Sequence, residues 1–192
     1  LAEPGVRDGV WQHSSFRTDA LTRLQRTGMA AMVTVYGAKS QAEAMIAGVV
    51  RAHDRVRGTT SEGMPYHAND HVLLDWVQAT ASFGFIGAYS RYAGALSPAE
   101  RDRALAEGKP AARLYGATGA PGSEAEMREI FARMDDRLVP SPIIAEFLEI
   151  MRKVDAFPLA MRPLQSVLLR AAVDMLPDHL IARLELGSWR LR

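Results

Sequence analysis

His53 is the residue of this chain whose type and surroundings carry the most chemistry. It falls at helical spacing with Met45, Ile46, Val49, Val50 and Val56, so in a helix over 41–57 its imidazole points inward with the apolar stripe. A buried imidazole needs a hydrogen-bond partner or a metal, and a haem iron would accept it as an axial ligand. A core histidine satisfied by a carbonyl or carboxylate is the other reading, and spacing alone leaves both open. Arg51, Arg55 and Arg57 flank it. An arginine there can hold a carboxylate, such as a haem propionate, by a two-pronged hydrogen bond. Solvated arginines that complement a helix C-terminus explain the same pattern.

A second set of polar groups interrupts an apolar helix. Over 70–93, Leu73, Trp76, Val77, Phe83, Phe85 and Ile86 are spread over several faces, which predicts a central helix. Asp75, Gln78, Ser82 and Tyr89 project within one narrow sector, as the wall of a ligand pocket or as a wet edge. Ala79, Ala81, Gly84, Gly87 and Ala88 would let another helix or a flat cofactor come close. His67 and His71 are spaced as metal ligands on one helix face, but Asn69 and Asp70 read as a helix N-cap, which leaves His67 outside the helix. His13 precedes a capping-type stretch, and His71 and His179 sit in first helical turns, where capping or solvation suffices.

Helices must position all of these groups. Ser40 with Glu43, Ser97 with Glu100 and Ser123 with Glu126 fit the capping box, and Pro98 and Pro142 sit where first helical residues belong. Gly37, Gly58, Gly94 and Gly116 follow periodic apolar runs and read as helix stops. The expected fold class is all-α: a single domain of about eight helices over 17–36, 41–57, 70–93, 98–115, 124–138, 142–154, 160–175 and 178–186, bundled around the apolar helix 70–93. No run alternates convincingly, so no strand is expected, and 59–68 reads as the longest loop. Val33 to Tyr36 leans toward strand, but it continues the helical stripe Leu21, Leu24, Met29, Met32, Val33 and is expected to stay helical.

Composition narrows the function classes. A chain of 192 residues with 48% hydrophobic and 23% charged residues suits one globular domain. A net charge of +1, from 23 basic and 22 acidic residues, leaves no footprint for nucleic acid. Without cysteine there is no disulfide, thiolate metal site or thiolate-ligated haem. Glycine-rich nucleotide loops, a serine hydrolase elbow, a zinc protease helix and a Glu-x-x-His pair are all missing. The uncharged stretches 27–38 and 76–90 are shorter than the roughly 20 residues of a bilayer span, so no membrane span is expected and a cytoplasmic setting is the default. The chain opens on Leu1, which predicts a processed or truncated chain lacking an N-terminal segment.

Three linked stretches carry a resemblance. His13-Ser-Ser-Phe-Arg-Thr-Asp, Val50-Arg-Ala-His-Asp-Arg-Val-Arg-Gly58 and Tyr66-His-Ala-Asn-Asp-His-Val-Leu-Leu-Asp-Trp-Val-Gln-Ala-Thr80 resemble, in order and separation, signatures of the rubber oxygenase and mycophenolate oxygenase family. Ala88-Tyr-Ser-Arg-Tyr92 and Leu96-Ser-Pro-Ala-Glu-Arg101 extend the match. The resemblance implies an all-helical oxygenase that, in rubber-cleaving members, holds haem b through a histidine and cleaves an apolar substrate with dioxygen. On this chain His53 or His13 would have to hold the iron, and the expected site is His53 as ligand, Arg51 near the propionates and Gln78 on the pocket wall. Many members carry histidine where this chain has Glu3 and Gln78. A cofactor-free helical protein that binds an apolar ligand or partner around helix 70–93 is therefore the alternative. Function lives in the site rather than the fold, so the substrate stays open.

Overall fold

The first helix starts where a glutamate precedes a proline. In this computed structural model, which describes residues 1–191, α1 runs Pro4–His13, and the Glu3 side chain caps it by accepting from the Val6 N–H at 2.7 Å. The sequence pattern places the first helix at 17–36, and α1 is an additional helix ahead of it. Eight further α-helices follow among the described residues: α2 Ala20–Tyr36, α3 Lys39–His53, α4 His71–Tyr92, α5 Pro98–Leu114, α6 Glu124–Met134, α7 Pro142–Lys153, α8 Arg162–Val173 and α9 Asp178–Arg183. The all-α expectation holds. One small addition is a hairpin of β1 Arg57–Thr59 and β2 Pro65–His67, antiparallel with Gly58 opposite Tyr66.

Capping chemistry sets most of these boundaries. Ser97 and Glu100 form a complete capping box ahead of α5, and Pro98 and Pro142 open α5 and α7. Ser123 accepts from the Glu126 N–H, but the Glu126 carboxylate bonds the Gly122 N–H instead of returning to Ser123. Ser40 is not a cap. α3 starts two residues earlier than expected, at Lys39 after Ala38, whose carbonyl takes the first amides. Of the four glycines read as stops, Gly116 alone adopts a left-handed φ, at +93°; Gly58 lies in β1.

The expected helix 41–57 ends at His53, because Tyr66, buried against Gly9 and Gly58, draws 57–59 into the hairpin. Three-residue strands, one opened by a proline, carry no alternation long enough to read. Toward the C-terminus the expected helices 124–138 and 160–175 are interrupted by 3-10 turns at Asp135–Arg137 and Leu159–Met161.

The core has two main parts. Trp76 and Ala79 of α4 pack with Ile130 and Met134 of α6, Leu138 and Leu180, and Trp76 meets Phe131 edge-on with ring centroids 4.9 Å apart. Ile144 and Leu148 of α7 pack with Val173, Ile181 and Leu186. Each such aliphatic or aromatic side chain contributes about 1.5–3 kcal/mol by leaving water.

α4 is central only along part of its surface. It packs on α1, α5 and α6 and buries Leu73, Trp76 and Ala79, whereas Val77, Phe85, Tyr89 and Tyr92 remain exposed along one face. Val33–Tyr36 is helical as expected, but no residue of α2 is buried, and Met29 and Met32 are exposed with Val35 and Tyr36. A helix that is apolar all round needs cover on every side. The described residues do not supply it.

Candidate functional site around His53

α3 delivers His53 at its last turn, where the helix ends against the start of α4. The imidazole is half-buried rather than fully enclosed. Its Nδ1 is buried and makes no well-formed hydrogen bond, and Nε2 has none either among the described residues. Burial pushes the imidazole pKa down from its usual value; contact with Asn69 opposes this, and the Arg23 charge adds to the lowering. Burial of the ring therefore favours its neutral form.

Asn69 stands one residue before Asp70, whose carboxylate caps α4 by accepting from the Val72 and Leu73 N–H groups at 2.9 and 3.2 Å. Its Nδ2 donates to the Val50 carbonyl at 3.1 Å and to Asp54 Oδ1 at 2.7 Å. Both acceptors belong to the end of α3, so Asn69 ties the two helix ends together. Its Oδ1 is the other buried polar atom here without a well-formed bond.

The remaining expected site residues do not converge on one point. Arg51 is exposed and forms no ion pair among the described residues. Gln78 is half-buried on α4. Its expected partner in the polar stripe, Asp75, is committed elsewhere, accepting from the Gly119 N–H at 2.9 Å to anchor the loop after α5. His13 is exposed at the end of α1, with Nε2 3.2 Å from the Tyr66 hydroxyl, which donates to Gln12 Oε1 at 3.2 Å. His67 reaches the Asp54 carbonyl, and His179 pairs with Asp135 at 3.2 Å.

Among the described residues no group of three or more His, Asp or Glu side chains could hold a metal ion. Two clefts open on α7, one toward Arg162 and Ser166 and one toward Ala20. Neither is lined by His53, Arg51 or Gln78. No described helix is long and apolar enough to cross a membrane.

The family model for the catalytic domain of ER-bound oxygenase mpaB/B′ and rubber oxygenase matches residues 1–192. The chain belongs to this oxygenase family. No curated protein and no solved structure matches it. Membership supports oxygen use and a small-molecule substrate without specifying either further.

Within this oxygenase-family chain, sequence reasoning missed the polar groups that hold the hairpin beside α1. Arg7 is 2% exposed and Asp8 4%, joined at 2.9 Å. Arg7 Nη2 also donates to Ser61 Oγ at 3.1 Å and Glu62 Oε1 at 2.9 Å, while Asp8 Oδ2 accepts from the Ser61 N–H at 3.0 Å. The Arg7 bond holds the Glu62 carboxyl well below its usual range, at about 2. Local pattern gives no signal for this pairing, because an Arg-Asp pair in a helix reads as a solvated face. Glu3 is likewise structural: its second oxygen meets Arg137 Nη2 at 2.6 Å with the carboxylate 1% exposed. An uncharged imidazole at that position could not hold the same ion pair.

Proposed function

We propose that the chain is an oxygenase acting on an apolar small molecule, with haem b held through His53 and dioxygen as co-substrate. The observation that carries this reading is the His53 ring: a half-buried imidazole whose buried Nδ1 has no hydrogen-bond partner and whose neutral form burial favours. These are the properties of an available nitrogen ligand. The donor chemistry fits haem at the ligand and at the propionates, for Arg51 is exposed on the last turn of α3 and Arg55 and Arg57 are exposed on the segment that follows it. His53 would hold the iron and Arg51 a propionate, with His13 a more distant contact. When bound, the group supplies redox chemistry toward dioxygen. The rest falls to the chain. Val77 and Phe85 of α4 offer apolar area that a hydrocarbon would remove from water at about 25 cal/mol per Å². Gln78 would orient the bound molecule through its amide.

An ultraviolet-visible spectrum of the chain reconstituted with haem tests this. A Soret band is expected, and His53→Leu should abolish it with helicity unchanged. No band after reconstitution sinks the haem assignment.

The cofactor-free reading rests on a separate observation, the open apolar face of α4 on which Phe85 is 70% exposed. Under it, an iron-free chain binds a fatty acid or isoprenoid by itself. Ligand binding that requires iron would dismiss this version.

A further inference from the structure

The outer side of α2 is apolar, open and bounded by cations. Met29, Met32, Val35 and Tyr36 are all more than half exposed. Gly28, Met32 and Val35 follow one another at single helical turns, and Met29 and Tyr36 lie two turns apart beside them, so the five residues form one ridge. A side chain built at Gly28 would meet nothing within 4 Å. The other side of the helix faces the protein. There α2 packs on α3, and the Thr34 hydroxyl lies 3.1 Å from that of Tyr115 at the end of α5.

Charge on this helix has one sign. From 20 to 42 the chain carries Arg23, Arg26 and Lys39 and no acidic residue, a local charge of +3 in a chain whose total is +1, which leaves −2 for the remainder. The ridge itself falls within the uncharged stretch 27–38. Asp19, just ahead of the helix, serves as its N-cap by accepting from the Thr22 N–H at 3.2 Å. Arg23 bonds Thr27 within the helix, whereas Arg26 is exposed at the start of the ridge. Lys39 stands beyond its end, 3.9 Å from Glu43 in an exposed pair that leaves the ammonium free to meet another anion.

Area and charge together select the occupant. The four side chains offer about 500 Å² of surface, short of the about 800 Å² per partner that a stable protein interface takes. A second copy seated here about a two-fold axis would also set the cations of α2 against their own kind. A lipid surface has neither difficulty, because acyl chains accept a narrow apolar ridge and anionic headgroups accept the cations at its ends. We propose that α2 docks on an anionic lipid surface, lying in its plane with Met29, Met32, Val35 and Tyr36 among the upper acyl chains and Arg26 and Lys39 at the headgroup phosphates. At 17 residues α2 is shorter than the roughly 20 needed to cross, so it lies along the bilayer. Tyr36, with an apolar ring and a polar tip, suits the boundary. Docking of this kind gives an apolar substrate dissolved in lipid a short path to the chain; that consequence rests on the proposed oxygenase function, and the docking does not.

The test is co-sedimentation of the full chain, cofactor-free, with vesicles of equimolar phosphatidylcholine and phosphatidylglycerol, and with vesicles of phosphatidylcholine alone. The chain should sediment with the anionic vesicles, bind the neutral ones at least about tenfold more weakly, and come off the anionic ones as salt is raised. No binding to the anionic vesicles, or equal binding to both, would overturn the proposal. Arg26→Gln with Lys39→Gln should weaken anionic binding by about fivefold for each charge removed and leave neutral binding unchanged. Met32→Asp with Val35→Asp should weaken it at least about tenfold with helical circular dichroism retained, and undiminished binding contradicts the proposal. If that variant loses its helicity, Gly28→Leu decides, because leucine favours the helix and enters open space on the ridge. Tighter vesicle binding is expected there, and unchanged binding counts against the docking. A dimer in sedimentation equilibrium that Met32→Asp with Val35→Asp turns into a monomer would give the ridge to a second copy and overturn the proposal. A missing Soret band bears on the haem assignment alone, since the vesicle assay needs no cofactor.

Discussion

The clasp between α1 and the hairpin and the open face of α4 are opposites in how they are held. In the clasp, two buried charges, Arg7 and Asp8, meet each other and then Ser61 and Glu62 from a segment more than fifty residues away. Such bonds are directional, so they fix a short hairpin that its own length could not stabilise. The face of α4 has no bonds of that kind. It presents Val77, Phe85, Tyr89 and Tyr92 to whatever covers it, and attraction there depends on area and hardly on register. The first region is specified from within the chain, and the second is covered by none of the described residues.

The largest effect should come from breaking the clasp. Arg7→Ala leaves the Asp8 carboxylate buried with its main partner gone, a change that costs about 3–5 kcal/mol. At about 2–4 °C per kcal/mol for a domain of this size, the melting temperature should fall by about 10 °C. A melt within about 2 °C of the unaltered chain would show that the clasp does not hold the hairpin.

Phe85→Ser sharpens the contrast from the other side. Stability should move by no more than about 0.5 kcal/mol, because the side chain is exposed and the two residues have similar helix propensity. Affinity for a fatty acid or isoprenoid, read by calorimetry, should drop about tenfold or more as an aromatic contact is lost. Unchanged affinity would remove this face from the ligand site.

The smallest effect concerns pH. The Glu62 carboxyl is held at about 2, below its ordinary 4.5, by its bond to Arg7. A depressed carboxylate contributes stability above its unfolded pKa and loses it as pH falls toward its folded one. The difference in melting temperature between the unaltered chain and Glu62→Gln should therefore be present at neutral pH, shrink as pH drops below about 4.5 and vanish near about 2. A difference that stays constant over that window would show that Glu62 does not contribute through its charge.

The sequence by itself determined the fold class, most helix starts and the family, because caps, prolines and helical stripes act within a few residues and can be read where they occur. Ser97 with Glu100 and Asp70 ahead of α4 behave as their types require. Periodicity also singles out His53, but it does not say that α3 stops there or that Asn69 bonds the end of α3. Those facts depend on Tyr66 drawing 57–59 into a hairpin and on two helix ends meeting. Only the tertiary structure decided that Arg7 and Asp8 are core groups, that Glu3 serves Arg137, and that α4 keeps one apolar face open. Each is settled by partners distant in sequence, and a residue's type records what it can bond without recording which partner the fold will bring to it.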